Sequence, residues 1–304
     1  MEKYNFGFVV LHYMALQMTT DCVNNLLKAF GDNSIHIVIV DNCSPNESGK
    51  ELKRKFEGNE KVLVILNSSN EGFAKGNNIG YSYLKDNYNC DFIVVMNNDV
   101  LINDNLFLDK IKDIYLQTNF SVLGPDIYAP NSPRKHQNPF FLHGIEKEKL
   151  IKQLDQMKYN YDHFQSWYKK TLLKNAIKSV NFLSIIHRFI KYTILHKEII
   201  DYKKEYVNPV LHGACYIFSR SFIENRDYAF FPGTFLYCEE NILHFQCIQK
   251  QLKMIYSPEI HVTHLEDVST SMVLKRNFDK EKYKMEKMIE SLEIFISLME
   301  ADND

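Results

Sequence analysis

Cys90-Asp91-Phe92-Ile93-Val94-Val95-Met96-Asn97-Asn98-Asp99-Val100 decides the reading of this chain. Residues 92–96 form a short apolar run rich in β-branched side chains, the pattern of a strand buried on both faces. The run ends abruptly in two amides and a carboxylate. In an open α/β sheet, ligands bind outside the carboxyl ends of the strands. Asp99 is therefore placed either to hold a divalent cation against a phosphate or simply to close a polar strand-end turn.

The flanking sequence has the same grammar. Residues 6–11, 35–40 and 62–66 read as further buried strands, and helices are expected near 19–30 and 48–56. The stretch 67–78 reads as a loop that runs into a helix ending near Leu84. Strands alternating with helices over short connections predict a parallel sheet with helices on both faces. Polar clusters end three of the strands, at Asp41-Asn42, at residues 70–78 and at Asn97-Asn98-Asp99. In a parallel sheet those ends share one edge, so the clusters are expected to meet in one crevice. The first strand is followed by His12-Tyr13-Met14, with neither G-x-G-x-x-G nor G-x-x-x-x-G-K-[ST], which argues against a dinucleotide fold and a P-loop enzyme.

Composition narrows the class. The 304 residues are 45% hydrophobic and 24% charged, ordinary for a globular protein that buries a core. A net charge of −2 gives no argument for nucleic acid. The six cysteines (22, 43, 90, 215, 238 and 247) form no C-x-x-C pair, which argues against a zinc site or disulfide framework and suits a reducing cytosol. Cys238 reads as a packing residue. Residues 6–16 lack the basic flank and cleavage site of a signal peptide, and no run of 18 uncharged apolar residues occurs. The expected location is cytoplasmic.

Three motifs in order carry a resemblance to a known family. Val38-Ile39-Val40-Asp41-Asn42-Cys43-Ser44, Asn70-Glu71-Gly72-Phe73-Ala74-Lys75-Gly76-Asn77-Asn78-Ile79-Gly80 and Val94-Val95-Met96-Asn97-Asn98-Asp99-Val100 resemble successive motifs of the family 2 glycosyltransferases. These are inverting enzymes of the GT-A fold, and the nearest likeness is to rhamnosyltransferase-like members that build bacterial surface polysaccharides. The likeness covers about residues 6–130 and 207–272. It implies that His12 and Tyr13 flank a uracil or thymine and that Asp41 accepts a hydrogen bond from its ring N–H. His12 also fits a structural strand-end residue. Gly72 and Gly76 would permit close approach of ribose or diphosphate to the backbone, with Asn77, Asn97 and Asn98 nearby. Lys75 would offset phosphate charge or lie exposed in solvent. Asp99 matches the final acid of the family's D-x-D, whose first acid is here Asn97, and would hold Mg²⁺ or Mn²⁺ with help from the diphosphate and water. Met14 stands where many relatives carry Asn.

The second half divides in two. Residues 131–206 read as a helical insertion between a nucleotide-sugar-binding half (1–130) and a catalytic half (207–272), with a C-terminal helix in 273–304. From 169 to 197 there are seven Lys or Arg and no Asp or Glu, with apolar residues at near-helical spacing. This is either a helix with a solvated basic face or a surface for anionic lipid at the inner face of the plasma membrane. His212-Gly213-Ala214 resembles the family's acceptor-bordering strand. Tyr237-Cys238-Glu239-Glu240 matches its Y-x-E-[DE] motif, which implies Glu240 as general base and Glu239 as a structural or acceptor-positioning acid. Such a base is worth roughly 10²–10⁴-fold in rate. Acids at the start of a helix also suit its dipole without any catalytic role. His264 resembles the histidine that reaches metal or diphosphate, although His261 is close by. The C-terminal helix is expected to pack or to make oligomer contacts.

The expectation is a GT-A transferase moving a sugar from a UDP- or dTDP-sugar, dTDP-rhamnose among them, to a hydroxyl of a growing or lipid-linked glycan. The alternatives are a non-catalytic sugar-binding scaffold on a degenerate transferase fold and a sugar-nucleotide pyrophosphorylase. The latter would need a Gly-rich, Arg-containing loop after the first strand, which His12-Tyr13-Met14 is not.

Overall fold

The computed structural model describes residues 4–31, 33–178, 200–266 and 278–301, with the backbone alone for 173–178. The chain divides into two compact units: residues 1–145 with 202–275, and residues 146–201 with 276–304.

The first unit is built on one sheet of nine strands among the described residues. They are β1 (Phe6–His12), β2 (Ile35–Asp41), β3 (Val62–Leu66), β4 (Phe92–Asn97), β5 (Val100–Leu101), β6 (Val122–Tyr128), β7 (Tyr206–Val207), β8 (Cys215–Ser219) and β9 (Met254–His264). The order is β3-β2-β1-β4-β8-β6-β9-β5, with β7 also on β9. The run β3-β2-β1-β4 is parallel, as expected from the alternating pattern. Beyond β4 the sheet becomes mixed: β8 lies antiparallel to β4 and β6, β9 runs parallel to β6, and β5 and β7 pair antiparallel with β9. The expected mostly parallel sheet is met by the run β3-β2-β1-β4 and by the long β6–β9 pairing, with antiparallel pairings joining and flanking them.

Side-chain alternation along the strands sorts the core into two layers. Phe6, Phe8 and Val10 of β1 and Phe92, Val94 and Met96 of β4 meet helices α1 (Leu16–Phe30) and α4 (Phe107–Thr118). On the other face, Val9, Ile93 and Val95 meet α3 (Gly72–Asn87), α7 (Arg220–Asn225) and α8 (Glu239–Gln249). The short α2 (Ser48–Lys55) buries Leu52 in the first layer. Helix α3 approaches the sheet closely through two glycines. A Cβ at Gly80 would stand 2.6 Å from a methyl of Val9, and one at Gly76 would stand 2.7 Å from a methyl of Leu11.

Strand β9 carries an irregularity that sets where it ends. Pro125 pairs with Ser257, but the next residue, Asp126, pairs with His261. Pro258, Glu259 and Ile260 are accommodated as a bulge.

Residues 131–145, expected in a helical insertion, contain no helix and belong to the first unit. Pro133, Pro139 and Gly144 disfavour helix there. The segment is stitched to the sheet by bridges Tyr128–His136 and Phe141–Val210 and by Gln137 N–H donating to Ile127 O at 2.9 Å. The second unit contains α5 (Lys147–Asp162), α6 (Phe164–Lys178) and α9 (Phe278–Ala301). Ion pairs Lys147–Glu300 (3.0 Å) and Lys158–Glu293 (2.7 Å) set α5 antiparallel to α9, and Phe164 lies edge-on to Phe278. The C-terminal helix therefore packs within this unit. The basic stretch read at 169–197 falls largely outside the described residues. Among the described residues, no helix is long and apolar enough to cross a membrane.

Filling the helix–sheet contact should be costly. Gly80→Val is expected to lower unfolding stability by about 1–3 kcal/mol, the usual cost of overpacking. Urea denaturation checks this, with an unchanged midpoint as the contrary result.

Candidate active site

At the carboxyl edge of the sheet, β1 and β2 end in register, His12 opposite Asp41. Two residues further on, each chain kinks through a left-handed residue, Met14 (φ 63°) and Cys43 (φ 59°). Asn tolerates that conformation better than Met, so Met14 holds its left-handed turn at some conformational cost. Ser44 joins the two turns: Met14 N–H donates to its hydroxyl at 2.8 Å, and the hydroxyl donates to Asp41 at 2.5 Å. His12 is fully buried. Its Nδ1 lies 2.6 Å from Thr19 Oγ1 and its Nε2 2.8 Å from Ser48 Oγ, so both ring nitrogens are engaged inside the protein. Burial lowers its pKa to about 4, against a smaller opposing pull from Asp41. Any part His12 plays toward a base passes through the residues it orders. Tyr13, the next residue, is half-buried.

The stretch 70–78 departs from the loop expected of it, because α3 begins at Gly72. The exposed N–H groups of its first turn find partners: Glu71 N–H on Asn42 Oδ1 (2.9 Å), Gly72 N–H on Asn70 Oδ1 (3.0 Å) and Phe73 N–H on Phe235 O (2.9 Å). Gly72, at φ 76°, leaves no room for a Cβ against the carbonyl of Phe235. Gly72 and Gly76 therefore serve close packing inside the protein. Asn77 is buried, donating to Phe73 O at 3.0 Å with its Oδ1 unpartnered, whereas Lys75 is exposed. Asn78 is clamped in both directions to the backbone of Phe230.

The remaining residues are assembled by strand pairing. Antiparallel β8 starts where β4 ends: Met96 faces Cys215, and Asn97 N–H donates to Ala214 O at 2.9 Å. Antiparallel β9 ends where β5 starts, so His264 faces Val100. His264 Nε2 consequently lies 3.2 Å from Asp99 Oδ1, with both residues buried. His212 packs 6.0 Å, ring to ring, from His264. Burial, then the neighbouring His264 and Arg134, lowers the pKa of His212 to about 3. Asn98 donates to Thr19 Oγ1 at 2.9 Å, the hydroxyl that also meets His12. A hydrogen-bonded path thus links the ends of β1 and β4.

Glu239 and Glu240 open α8 behind Tyr237 and Cys238, both left-handed at φ 79° and 67°. Consecutive non-glycine residues in that region store strain, a frequent feature of functional sites. Glu240 turns its carboxylate onto Gly213, where an added Cβ would stand 2.6 Å from Oε1. Part of the side chain reaches solvent, yet the carboxyl lies among protein atoms and burial raises its pKa. Glu239 is buried, with Oε1 unpartnered. Burial, and then the charge of Glu240, pushes its pKa up to about 8.

The structure thus joins Asn97, Asp99, His264, His212, Gly213, Ala214 and Glu240 through direct contacts or chain adjacency. Asp41 and His12 connect to them through Thr19 and Asn98. Gln137, Asn138, Thr19, Ser44 and Ser48 also help to hold the site, and sequence reasoning missed them. No local pattern marks Gln137, Asn138 and Ser48, whose partners at the site are distant in sequence, while Ser44 and Thr19 bond residues three and seven positions away without forming a recognisable motif.

Comparisons with known proteins agree with this architecture. The family described as Glycosyl transferase family 2 matches residues 8–226. A Haloferax volcanii protein, the low-salt glycan biosynthesis hexosyltransferase Agl10, is 31% identical over 93 residues. That match covers 30% of this chain and 27% of the relative, about a quarter of its length. S. aureus TarS 1–349 in complex with UDP-GlcNAc superposes with a TM-score of 0.54 at 13% identity, covering 93% of this chain and 64% of that one. GalNAc-T7 with UDP, GalNAc and Mn²⁺ gives 0.55 at 12% identity, covering 88% and 45%. At such identities the likeness is one of fold, the GT-A fold.

The acid pair generates a pH prediction. Folded Glu239 holds its proton up to about pH 8, whereas the unfolded chain releases it near 4.5. Between these values the folded state binds more protons, so its stability contribution is present below 4.5 and lost as pH rises towards 8. Glu239→Gln removes this loss. Its melting temperature should exceed that of the native protein by a margin that widens from pH 5 to 8, and a margin independent of pH would contradict the assignment.

Proposed function

This chain belongs to the family 2 glycosyl transferases, and on that premise we propose that it moves a sugar, with inversion, from a UDP- or dTDP-sugar to a glycan hydroxyl. The observation that carries the proposal is the joining of Glu240, through Gly213 and His212, to the Asp99–His264 pair. One carboxylate faces the acceptor-bordering strand and the other ends the strand expected to meet the diphosphate.

In this reading the acceptor hydroxyl gives its proton to Glu240 as its oxygen attacks the anomeric carbon. The bond from that carbon to the donor diphosphate breaks on the opposite face, and the nucleoside diphosphate leaves with the bonding electron pair. Burial raises the Glu240 pKa towards the range in which a carboxylate is an effective base. Close packing on Gly213 keeps the carboxylate aimed, and Glu239, held neutral over much of the working range, avoids a second negative charge beside it. Tyr13 and Asp41 are assigned to the pyrimidine, with Asp41 held by Ser44 and His12 acting through the hydroxyls it orders.

Asp99 and His264 fit a divalent cation, Mg²⁺ or Mn²⁺. A carboxylate and an imidazole 3.2 Å apart are a suitable donor pair. Among the described residues, no three His, Cys, Asp or Glu side chains form a ready cage. That suits a cation completed by diphosphate oxygens and water. When bound, the ion supplies charge neutralisation for the leaving diphosphate. The basic residues of 169–197 support placing a lipid-linked acceptor at an anionic membrane surface.

Glu240→Gln tests the assignment. Turnover should fall by roughly 10²–10⁴-fold, while the melting-temperature rise given by the UDP- or dTDP-sugar with Mn²⁺ is retained. Full turnover in the variant would remove Glu240 as base. Failure of every pyrimidine-diphosphate sugar to raise the melting temperature of the native protein would remove the donor assignment. Ligand at about 100 times its Kd adds about 2.7 kcal/mol, well within reach of that measurement.

A further inference from the structure

Neither Gln137 nor Glu266 is among the residues to which the resemblance assigns a role, yet their hydrogen bonds bear on how His264 can act. Nδ1 of His264 lies 2.7 Å from Oε1 of Gln137, a buried residue. The amide Nε2 of Gln137 in turn donates to Oε1 of Glu266. An ionised carboxylate only accepts hydrogen bonds, so Gln137 must turn its NH₂ towards Glu266 and its carbonyl oxygen towards His264. A carbonyl oxygen also only accepts, so Nδ1 of His264 must carry a hydrogen. In the neutral imidazole, Nε2 then bears the lone pair. That lone pair faces Asp99 Oδ1 at 3.2 Å. Two acceptors so close repel one another unless positive charge lies between them.

The relay is anchored at both ends. Gln137 N–H donates to Ile127 O at 2.9 Å. Its neighbour Asn138 donates to Pro125 O at 2.8 Å and accepts the His212 N–H at 2.8 Å. Adjacent side chains of one segment therefore hold the two histidines of the site. Glu266 takes a left-handed backbone, φ 53°, two residues after His264.

We propose that Gln137, backed by Glu266, is a positioning residue that keeps the His264 proton on Nδ1 and turns the Nε2 lone pair towards Asp99, ready for a divalent cation. The cation's part rests on the transferase reading, whereas the tautomer does not. A partner that fixes the tautomer of a ligating histidine typically contributes 10–100-fold in metal affinity.

The test compares the native protein with Gln137→Leu and with the exchanged pair Q137E/E266Q. The exchanged pair preserves polarity: the new amide at 266 donates to the new carboxylate at 137, which accepts the Nδ1 hydrogen. Imidazole ¹⁵N spectra of the metal-free protein at alkaline pH should show His264 protonated at Nδ1 in the native protein and the exchanged pair. Gln137→Leu should lose that preference. Mn²⁺ affinity in the presence of UDP, read by electron paramagnetic resonance, should weaken by about 10–100-fold in Gln137→Leu and recover in the exchanged pair. A Gln137→Leu protein with the native spectrum and native Mn²⁺ affinity would overturn the proposal. Failure of the native protein to bind Mn²⁺ at all would count against the metal in the proposed function, and the spectra would still decide the role of Gln137.

Discussion

The antiparallel joint between β4 and β8 is the constraint on which the site depends. A purely parallel sheet presents only strand ends at its carboxyl edge, followed by turns into helices. By reversing direction at β8, this sheet brings a strand start, Gly213-Ala214-Cys215, beside the strand end at Met96-Asn97. The reversal of β9 against β5 does the same for His264 and Val100. Residues more than a hundred positions apart are thereby held to the tolerance of backbone hydrogen bonds. A slip of one residue at either joint would turn the participating side chains to the opposite face.

Polar groups at this edge are buried because they are bonded to one another. His12 is satisfied by two hydroxyls, Asn42 by the entry to α3, and Asn78 by the backbone of Phe230. A buried polar group left unpaired costs about 1–3 kcal/mol, so these networks specify one arrangement of the turns. Glu239, like Asn77, departs from this rule, retaining an unpartnered oxygen, and its pKa is raised to about 8. The strain at Tyr237 and Cys238 falls in the same short stretch. Stability is given up where the acid pair is presented, and the surrounding sheet supplies the rigidity to sustain it.

Much of the scaffold was legible because burial writes itself as periodicity. The first four strands lie within a residue or so of where their apolar runs predict them. Polar residues beyond those runs were found, but the roles of several differed. Asn77 and Asn78 follow two glycines and read as loop. In the structure, side chains from Asn42 and Asn70 satisfy the first turn of a helix there, and the amides point into protein. Residues 131–145 gave no periodic signal and were absorbed into the helical stretch that follows. Their order comes from scattered hydrogen bonds to distant backbone, which leave no trace in local composition. Gln137 is the sharpest case, since its significance rests on the direction of two hydrogen bonds.

The bulge at Pro258-Glu259-Ile260 has a consequence for how such a protein can diversify. Core strands tolerate no change in length, since each residue gained or lost reverses the facing of everything downstream. At the bulge the ladder already absorbs surplus chain. Without it, His264 would stand about 10 Å further along the strand, at the usual rise per residue, well past Asp99. An insertion or deletion there would leave the upstream core intact while exchanging which side chain meets the carboxylate at the end of β4. The segment works as a length adjuster, a place where heredity can retune which side chains meet at this edge without redesigning the fold that holds it.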